Sequence, residues 1–317
     1  MEDVKIDLNG TLGAAFMGHF ATAVLYGITS LQSFVYYKQR RRDTPILRWL
    51  VLVLWILDGV HVALITYSMY FYMVLNFANP LIIEKPIWSI MSMIIVSNVS
   101  NIIVRGVFGY RIWKMTGRGI TLPLLIGILS LYIAGDGFYF AAEGMRISSY
   151  LEIAHFSWSL YVGFAFEVFV DGIITISQCM VLRKFRTGIR STDSVVSVLM
   201  LYSINTGLFT SICAFICLLT YTLLPDMFVY FIFYFMLSKL YVNALLANLN
   251  ARSSIMDSIS SPAGIRPFQT YQGSDTTTTP SMNQVRPTAA QFTSVIDPLI
   301  LSSAFPRDSV VVAECEP

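Results

Sequence analysis

The sequence predicts an all-α, polytopic membrane protein: a bundle of seven transmembrane helices with the N-terminus outside and the C-terminus cytosolic. Three observations carry this. First, 55% of the 317 residues are hydrophobic and only 13% are charged, with a mean hydropathy of +0.64, whereas soluble domains carry about 25% charged residues. Second, the chain holds seven mainly apolar runs, each at or above the ~20 residues that an apolar bilayer core of ~30 Å demands of a helix. Third, lysine and arginine fall on alternate connections between those runs.

The runs lie near residues 12–37, 49–72, 87–113, 120–142, 156–182, 194–221 and 227–249. They do not alternate apolar and polar positions as barrel strands do, and backbone groups in lipid must be satisfied within their own segment, so each reads as a helix. The acidic residues Glu2, Asp3 and Asp7 stand where a cleaved signal peptide carries its basic region, so the first run is expected to be a retained span. Tyr36, Tyr37, Trp49 and Trp113 are expected to mark one membrane boundary, and Tyr70, Tyr72, Trp88 and Trp158 the other. Ser191-Thr192-Asp193 reads as an N-cap for the sixth helix. The short link Thr222–Asp226, which contains Pro225, makes the sixth and seventh helices antiparallel neighbours.

Orientation follows from charge. Lys38, Arg40, Arg41, Arg42 and Arg48 follow the first span; Arg111, Lys114 and Arg118 the third; and Arg183, Lys184, Arg186 and Arg190 the fifth. The opposite side has only Lys5, Lys85 and Arg146, so the count is twelve against three. Cytoplasmic connections carry the excess. Residues 1–11 then form a short extracytoplasmic N-terminus and 12–252 the membrane domain. Residues 253–317, rich in Ser, Thr and Pro, read as a disordered cytosolic tail in which the patch Val295–Leu301 is the one apolar stretch. Asn9-Gly10-Thr11 is a glycosylation sequon on the outer side, whereas Asn98-Val99-Ser100 lies inside a span.

The net charge of +2 does not point to nucleic acid. Of four cysteines, Cys179, Cys213 and Cys217 lie in apolar runs and Cys315 in the tail, so no disulfide framework is expected. His19, His61 and His155 fall at three different depths and no HExxH occurs, so neither a metal nor any other cofactor is expected. Gly106, Gly109, Gly135 and Gly137 are candidates for close helix approach.

Ionisable residues inside spans are costly and mark function by default. At 1.5 Å per residue from the inner helix ends, Asp58 lies about 13 Å deep, Arg105 about 12 Å, and Asp171 and Lys239 about 15 Å. Asn205 reaches a similar level. Asp58 and His61 share a face, as do Asn101 and Arg105 with Asn98, Glu167 with Asp171, and Lys239 with Asn243. These residues form the candidate polar layer: Asp58, His61, Asn101, Arg105, Glu167, Asp171, Asn205, Lys239 and Asn243. Matching depth on consecutive helices predicts an Asp58–Arg105 ion pair. Glu167 and Asp171 need a cation, Arg105 or Lys239, unless Glu167 is protonated.

Several stretches are similar to a known family. They are Leu201-Tyr202-Ser203-Ile204-Asn205-Thr206-Gly207-Leu208 after Thr192-Asp193, and the run Ser238-Lys239-Leu240-Tyr241-Val242-Asn243 continuing to Arg252. Tyr26-Gly27-Ile28, Gln32, Leu57-Asp58 and His61 add to them. Over residues 10–252 the chain resembles a family of multi-span membrane proteins of unknown function from mushroom-forming fungi. The resemblance implies a fungal integral membrane protein and no activity. Comparison with G-protein-coupled receptors rests on layout alone: the third span ends Gly109-Tyr110-Arg111 and the seventh lacks Asn-Pro-x-x-Tyr.

The expectation is a non-enzymatic, receptor-like or sensory protein in the bilayer. Its polar layer serves as switch or latch, and its basic loops and tail face a cytosolic protein. A transporter or channel using the intramembrane charges is the alternative, and a membrane scaffold or assembly protein a third. Against transport, no internal repeat is visible, and the only span proline is Pro123, near a helix end.

Overall fold

The computed structural model describes residues 9–38, 44–77, 79, 82–83, 85–117, 119–184, 190–224 and 227–260. The basic residues Lys5, Arg40–Arg42, Arg118 and Arg186, the link residues Pro225 and Asp226, and the segment 261–317 with its Val295–Leu301 patch lie outside them. Seven helices make up the bundle: α1 (Ala14–Lys38), α2 (Pro45–Tyr70), α3 (Trp88–Met115), α4 (Thr121–Gly144), α5 (Ser157–Lys184), α6 (Arg190–Leu223) and α7 (Val229–Ser260). All seven are long and apolar enough to cross a membrane, and no strand occurs among the described residues. The chain is a multi-pass, seven-helix membrane protein.

Local chemistry sets the helix ends. Pro45 opens α2, where its missing N–H leaves nothing unsatisfied. Gly117, at φ 71°, follows the end of α3 in the left-handed region that only glycine enters cheaply. A π-helical turn, Asn9–Gly13, leads into α1; another, Phe71–Leu75, extends α2; and a 3-10 segment, Tyr150–Phe156, leads into α5.

Two expectations about ends are corrected. The sixth helix begins at Arg190, so Ser191–Asp193 lie in its first turn and do not precede it. The seventh continues to Ser260, so residues 253–260 extend a helix where a tail was expected. The Asn9 sequon sits in the first π turn, where the Gly10 carbonyl accepts from the Phe228 amide at 3.0 Å and Thr11 is buried.

The helices form a ring in chain order, closed by α1 against α7. These two run parallel with a constant offset. Asn243 Nδ2 donates to the Leu25 carbonyl at 3.2 Å and Asn250 Nδ2 to the Gln32 carbonyl at 2.9 Å, each pair 218 residues apart. At Gly18 the two helices nearly touch, since a Cβ there would lie 2.8 Å from Ile232 Cα. Of the four glycines expected to permit close approach, Gly137 does so, against the Asn98 amide. Gly109 is in ordinary contact and Gly106 and Gly135 face open space.

Burial is uneven. The central helices α3 and α7 are 56% buried over their most apolar windows, against 24–33% for the others. They are not the most apolar: their mean hydropathy is 1.6, below the 2.1 of α2. Lipid is as apolar as a leucine side chain, so burial here does not select for hydrophobicity and leaves the centre free to carry polar groups. Tyr36 and Tyr72 belong to that packed interior, at 2% and 5% exposure, and not to a boundary belt. Trp49, Tyr70, Trp88 and Trp158 do face outward.

The apolar interior is split in two. One cluster gathers Leu54, Val104, Ile133 and Leu237 toward the end of the bundle that carries Lys38, Arg48, Lys114, Arg183 and Lys184, termed here the basic face. The other gathers Ile65, Ile94, Phe140 and Phe235 toward the opposite, amino-terminal face. On α2, α3 and α4 the polar positions 58–61, 97–101 and 136 fall in the gap between these sets, and on α7 positions 238–239 follow directly on Leu237 of the first set.

Candidate functional site

Two ionic clusters are buried among the described residues, one on each side of α7: Asp58 and His61 lie in the gap, whereas Arg105, Glu167, Asp171 and Tyr241 lie at the level of the first apolar set. Successive helical residues turn by about 100°, so positions two apart point to nearly opposite sides. Lys239 and Tyr241 stand in that relation, and each serves a different cluster.

The first joins α3, α5, α6 and α7. Arg105 Nη2 donates to Glu167 Oε1 at 2.9 Å and to the Tyr241 hydroxyl at 3.0 Å, and lies 3.7 Å from Asp171 Oδ1. The Tyr241 hydroxyl donates to Asp171, and Thr210 Oγ1 reaches the same Asp171 oxygen at 2.9 Å. The guanidinium carbon is 5.2 Å from the Tyr241 ring centre. Arg105, Asp171 and Thr210 are almost fully buried, and Glu167 is 8% exposed. Arg105 is thus the cation that Glu167 and Asp171 require.

The second joins α2 and α7 and borders α1. Lys239, with no exposed surface, donates to the Asp58 carboxylate and to the Asp58 carbonyl at 2.6 Å. Its Nζ is 5.8 Å from the Tyr26 ring. One turn along α2, His61 is buried with no hydrogen-bond partner at either ring nitrogen among the described residues. Asn243 bonds to Thr29 at 3.2 Å and so ties the cluster's α7 face to α1.

The expected Asp58–Arg105 pair does not form. Lys239 of the central α7 reaches Asp58, and Arg105 turns to α5. Asn205 is exposed on the outer side of α6 and takes no part in the layer. The other expected members are buried, though as two clusters. Sequence reasoning missed Tyr241 and Thr210. Tyr241 had a signal, two positions from Lys239 on a helix rich in polar residues. Thr210 had none.

Above the Arg105 cluster, toward the amino-terminal face, a cavity of about 70 Å³ opens between α3, α4, α5 and α7. Glu167 and Asn101 form its floor, and Asn98, Asp136 and Ser159 its polar wall. Ser159 Oγ donates to Asp136 Oδ1 at 2.7 Å. An apolar compartment of about 40 Å³ adjoins it, sharing Ile94, Phe140, Leu160, Phe164 and Tyr234 and adding Tyr150, Tyr221 and Phe231. Tyr150 comes from the 3-10 segment that leads into α5. Burial, with the Tyr72 hydroxyl 3.5 Å away, holds it well above the ordinary phenol range, so it stays neutral.

Below the cluster, Arg105 borders two further spaces. One, of about 20 Å³, reaches Asp171, Gln178 and Ser203 between α3, α5, α6 and α7. The other, of about 460 Å³, is a cleft between α3 and α4 that runs to Trp113 and Ile120. One guanidinium therefore stands between a cavity on one side of the bundle and spaces on the other.

A family model described as Family of unknown function (DUF6534) matches residues 167–254. It begins at Glu167 and takes in Asp171, Thr210, Lys239, Tyr241 and Asn243, while Asp58, Arg105 and Asp136 lie before it. No curated protein and no solved structure matches the chain.

Proposed function

We propose that the chain is a non-enzymatic, ligand-responsive membrane protein in which a small molecule in the α3–α4–α5–α7 cavity acts on the Arg105–Glu167–Asp171–Tyr241 cluster beneath it. One observation carries this reading: the cavity floor is Glu167, which is itself bonded to Arg105, so a ligand at the floor competes directly with the bond that ties α3 to α5. Packed interiors respond to such changes by shifting between discrete arrangements. The basic connections, expected to face the cytosol, then present the altered surface to an acidic protein partner. The motifs in α6 and α7 that carry the family resemblance lie inside the matched residues, and the match assigns no activity.

The test uses the full chain in nanodiscs, with Cys179→Ser and Cys315→Ser and a fluorophore on Arg183→Cys at the end of α5. Small amphiphiles that raise the melting temperature are expected to change its emission, and Arg105→Gln to change it without any compound. Binding compounds that leave the fluorophore silent, with Arg105→Gln reading as the parent, would overturn the proposal.

A second reading, transport, is favoured by the position of Arg105 between spaces on both sides of the cluster. It expects cation or proton flux in proteoliposomes that is lost on Asp171→Asn. Absence of flux in the parent protein refutes it.

A further inference from the structure

The cavity's polar wall is unbalanced. No lysine or arginine lines it among the described residues. Glu167 has Arg105, but Asp136 forms no ion pair among the described residues; its recorded hydrogen-bond partner is the Ser159 hydroxyl. At about 1.5 Å per residue, Asp136 lies roughly 12 Å below the end of α4, well inside the apolar layer. A carboxylate at that depth is costly without a counter-charge.

The free hydrogen-bonding capacity has the same bias. Asn98 gives an amide hydrogen to the Ile94 carbonyl at 3.0 Å, and Ser159 gives its own to Asp136 at 2.7 Å. Asn101, nine-tenths buried, lines the cavity with its Oδ1 unpartnered. Such an atom loses its hydration and gains nothing in return unless a donor arrives. The wall thus offers acceptors: the Asp136 carboxylate, Asn101 Oδ1 and the Glu167 carboxyl. Beside the Ser97 and Ser238 hydroxyls that also line the cavity, a molecule with several hydrogen-bond donors satisfies them together, and a positive charge on it satisfies Asp136 as well. The adjoining compartment has the opposite character, with Phe140, Phe164, Tyr230, Phe231 and Tyr234 around it.

We propose that the paired cavity binds a small alkylammonium ion, its cation held by Asp136 and Asn101 and its short hydrocarbon part against the aromatic compartment. A cavity of about 150 Å³ accommodates benzene, so spaces of about 70 and about 40 Å³, smaller even together, exclude a ring and limit the ligand to a few heavy atoms. Asp136 supplies the charge selection. Gly163 makes room for it, since a Cβ there would lie 2.6 Å from Asp136 Oδ2. The inference rests on the ligand-responsive reading and names its ligand class.

The experiment measures melting of the full chain in nanodiscs with ethylamine, with the neutral ethanol, and with sodium chloride at matched ionic strength. The amine is expected to raise the melting temperature saturably, and the alcohol and sodium are not. Asp136→Asn is expected to weaken the amine at least about tenfold, the loss of one charge-assisted bond. Gly163→Ala keeps the carboxylate but displaces it, and is expected to weaken the amine while the protein still melts cooperatively. Equal shifts from amine and alcohol, a full effect from sodium alone, no shift from the amine, or unchanged amine affinity in either variant would overturn the inference. The Arg183→Cys fluorophore separates the two proposals. A neutral compound that binds in the cavity and moves the fluorophore sinks the ammonium assignment alone, whereas an amine that binds without moving it sinks the ligand-responsive reading alone.

Discussion

A lysine with no exposed surface and an arginine nearly as enclosed set the energetics of this bundle. Removing one partner of a buried ion pair costs about 3–5 kcal/mol, because the other charge stays behind unpaired. Lys239→Met is therefore expected to lower unfolding free energy in detergent titration by about that amount. Lys239→Met with Asp58→Asn is expected to recover most of the loss, and a double-mutant cycle measures the coupling. Arg105→Gln is expected to behave likewise through Glu167 and Asp171, with partial rescue by Glu167→Gln. Asn205→Leu is expected to leave stability within about 0.5 kcal/mol, as for a surface position free of special contacts. The residues of these clusters were legible in the sequence because ionisable groups inside apolar runs stand out. Their pairing was not. Depth along a helix follows from counting, but the direction a side chain faces depends on which helices are neighbours. Asn205 had the right depth and the wrong azimuth, and Asp58 had a cation at matching depth on the next helix but met one from a helix far along the chain.

At the scale of helices, the α1–α7 seam depends on a missing side chain. Gly18 faces the Ile232 backbone, which cannot yield as a flexible side chain can. Gly18→Ala is expected to cost about 1–3 kcal/mol through overpacking, and Gly18→Leu to prevent the seam from closing. Gly27, nine residues along, faces open space. Gly27→Ala is expected to be neutral or to stabilise by up to about 1 kcal/mol, since alanine gives up less backbone freedom in a helix. The pair of variants, compared by thermal unfolding, separates packing from propensity. The number and limits of the helices were legible to within a turn or two, because apolar run length sets them. The exceptions have local causes: α6 and α7 run beyond their apolar cores, where composition no longer distinguishes helix from tail.

For the whole molecule, the charge asymmetry of the connections carries a prediction of its own. With Cys179→Ser and Cys315→Ser, a cysteine at Arg146 is expected to react with a membrane-impermeant maleimide on intact cells, and one at Arg183 only after permeabilisation. The reverse pattern inverts the orientation. The constant offset of α1 against α7 also bears on how the protein is made. The Leu25 and Gln32 carbonyls of α1 accept from asparagine side chains of α7, synthesised 218 residues later. Asp58 waits for a cation 181 residues downstream. Until α7 is synthesised, a carboxyl group must sit in the membrane without its partner, and the Arg105 cluster lacks Tyr241. Insertion and maturation are thus separate events. Until then the ring stays open along one side, and α7 closes it against α1 while bringing Asp58 its cation.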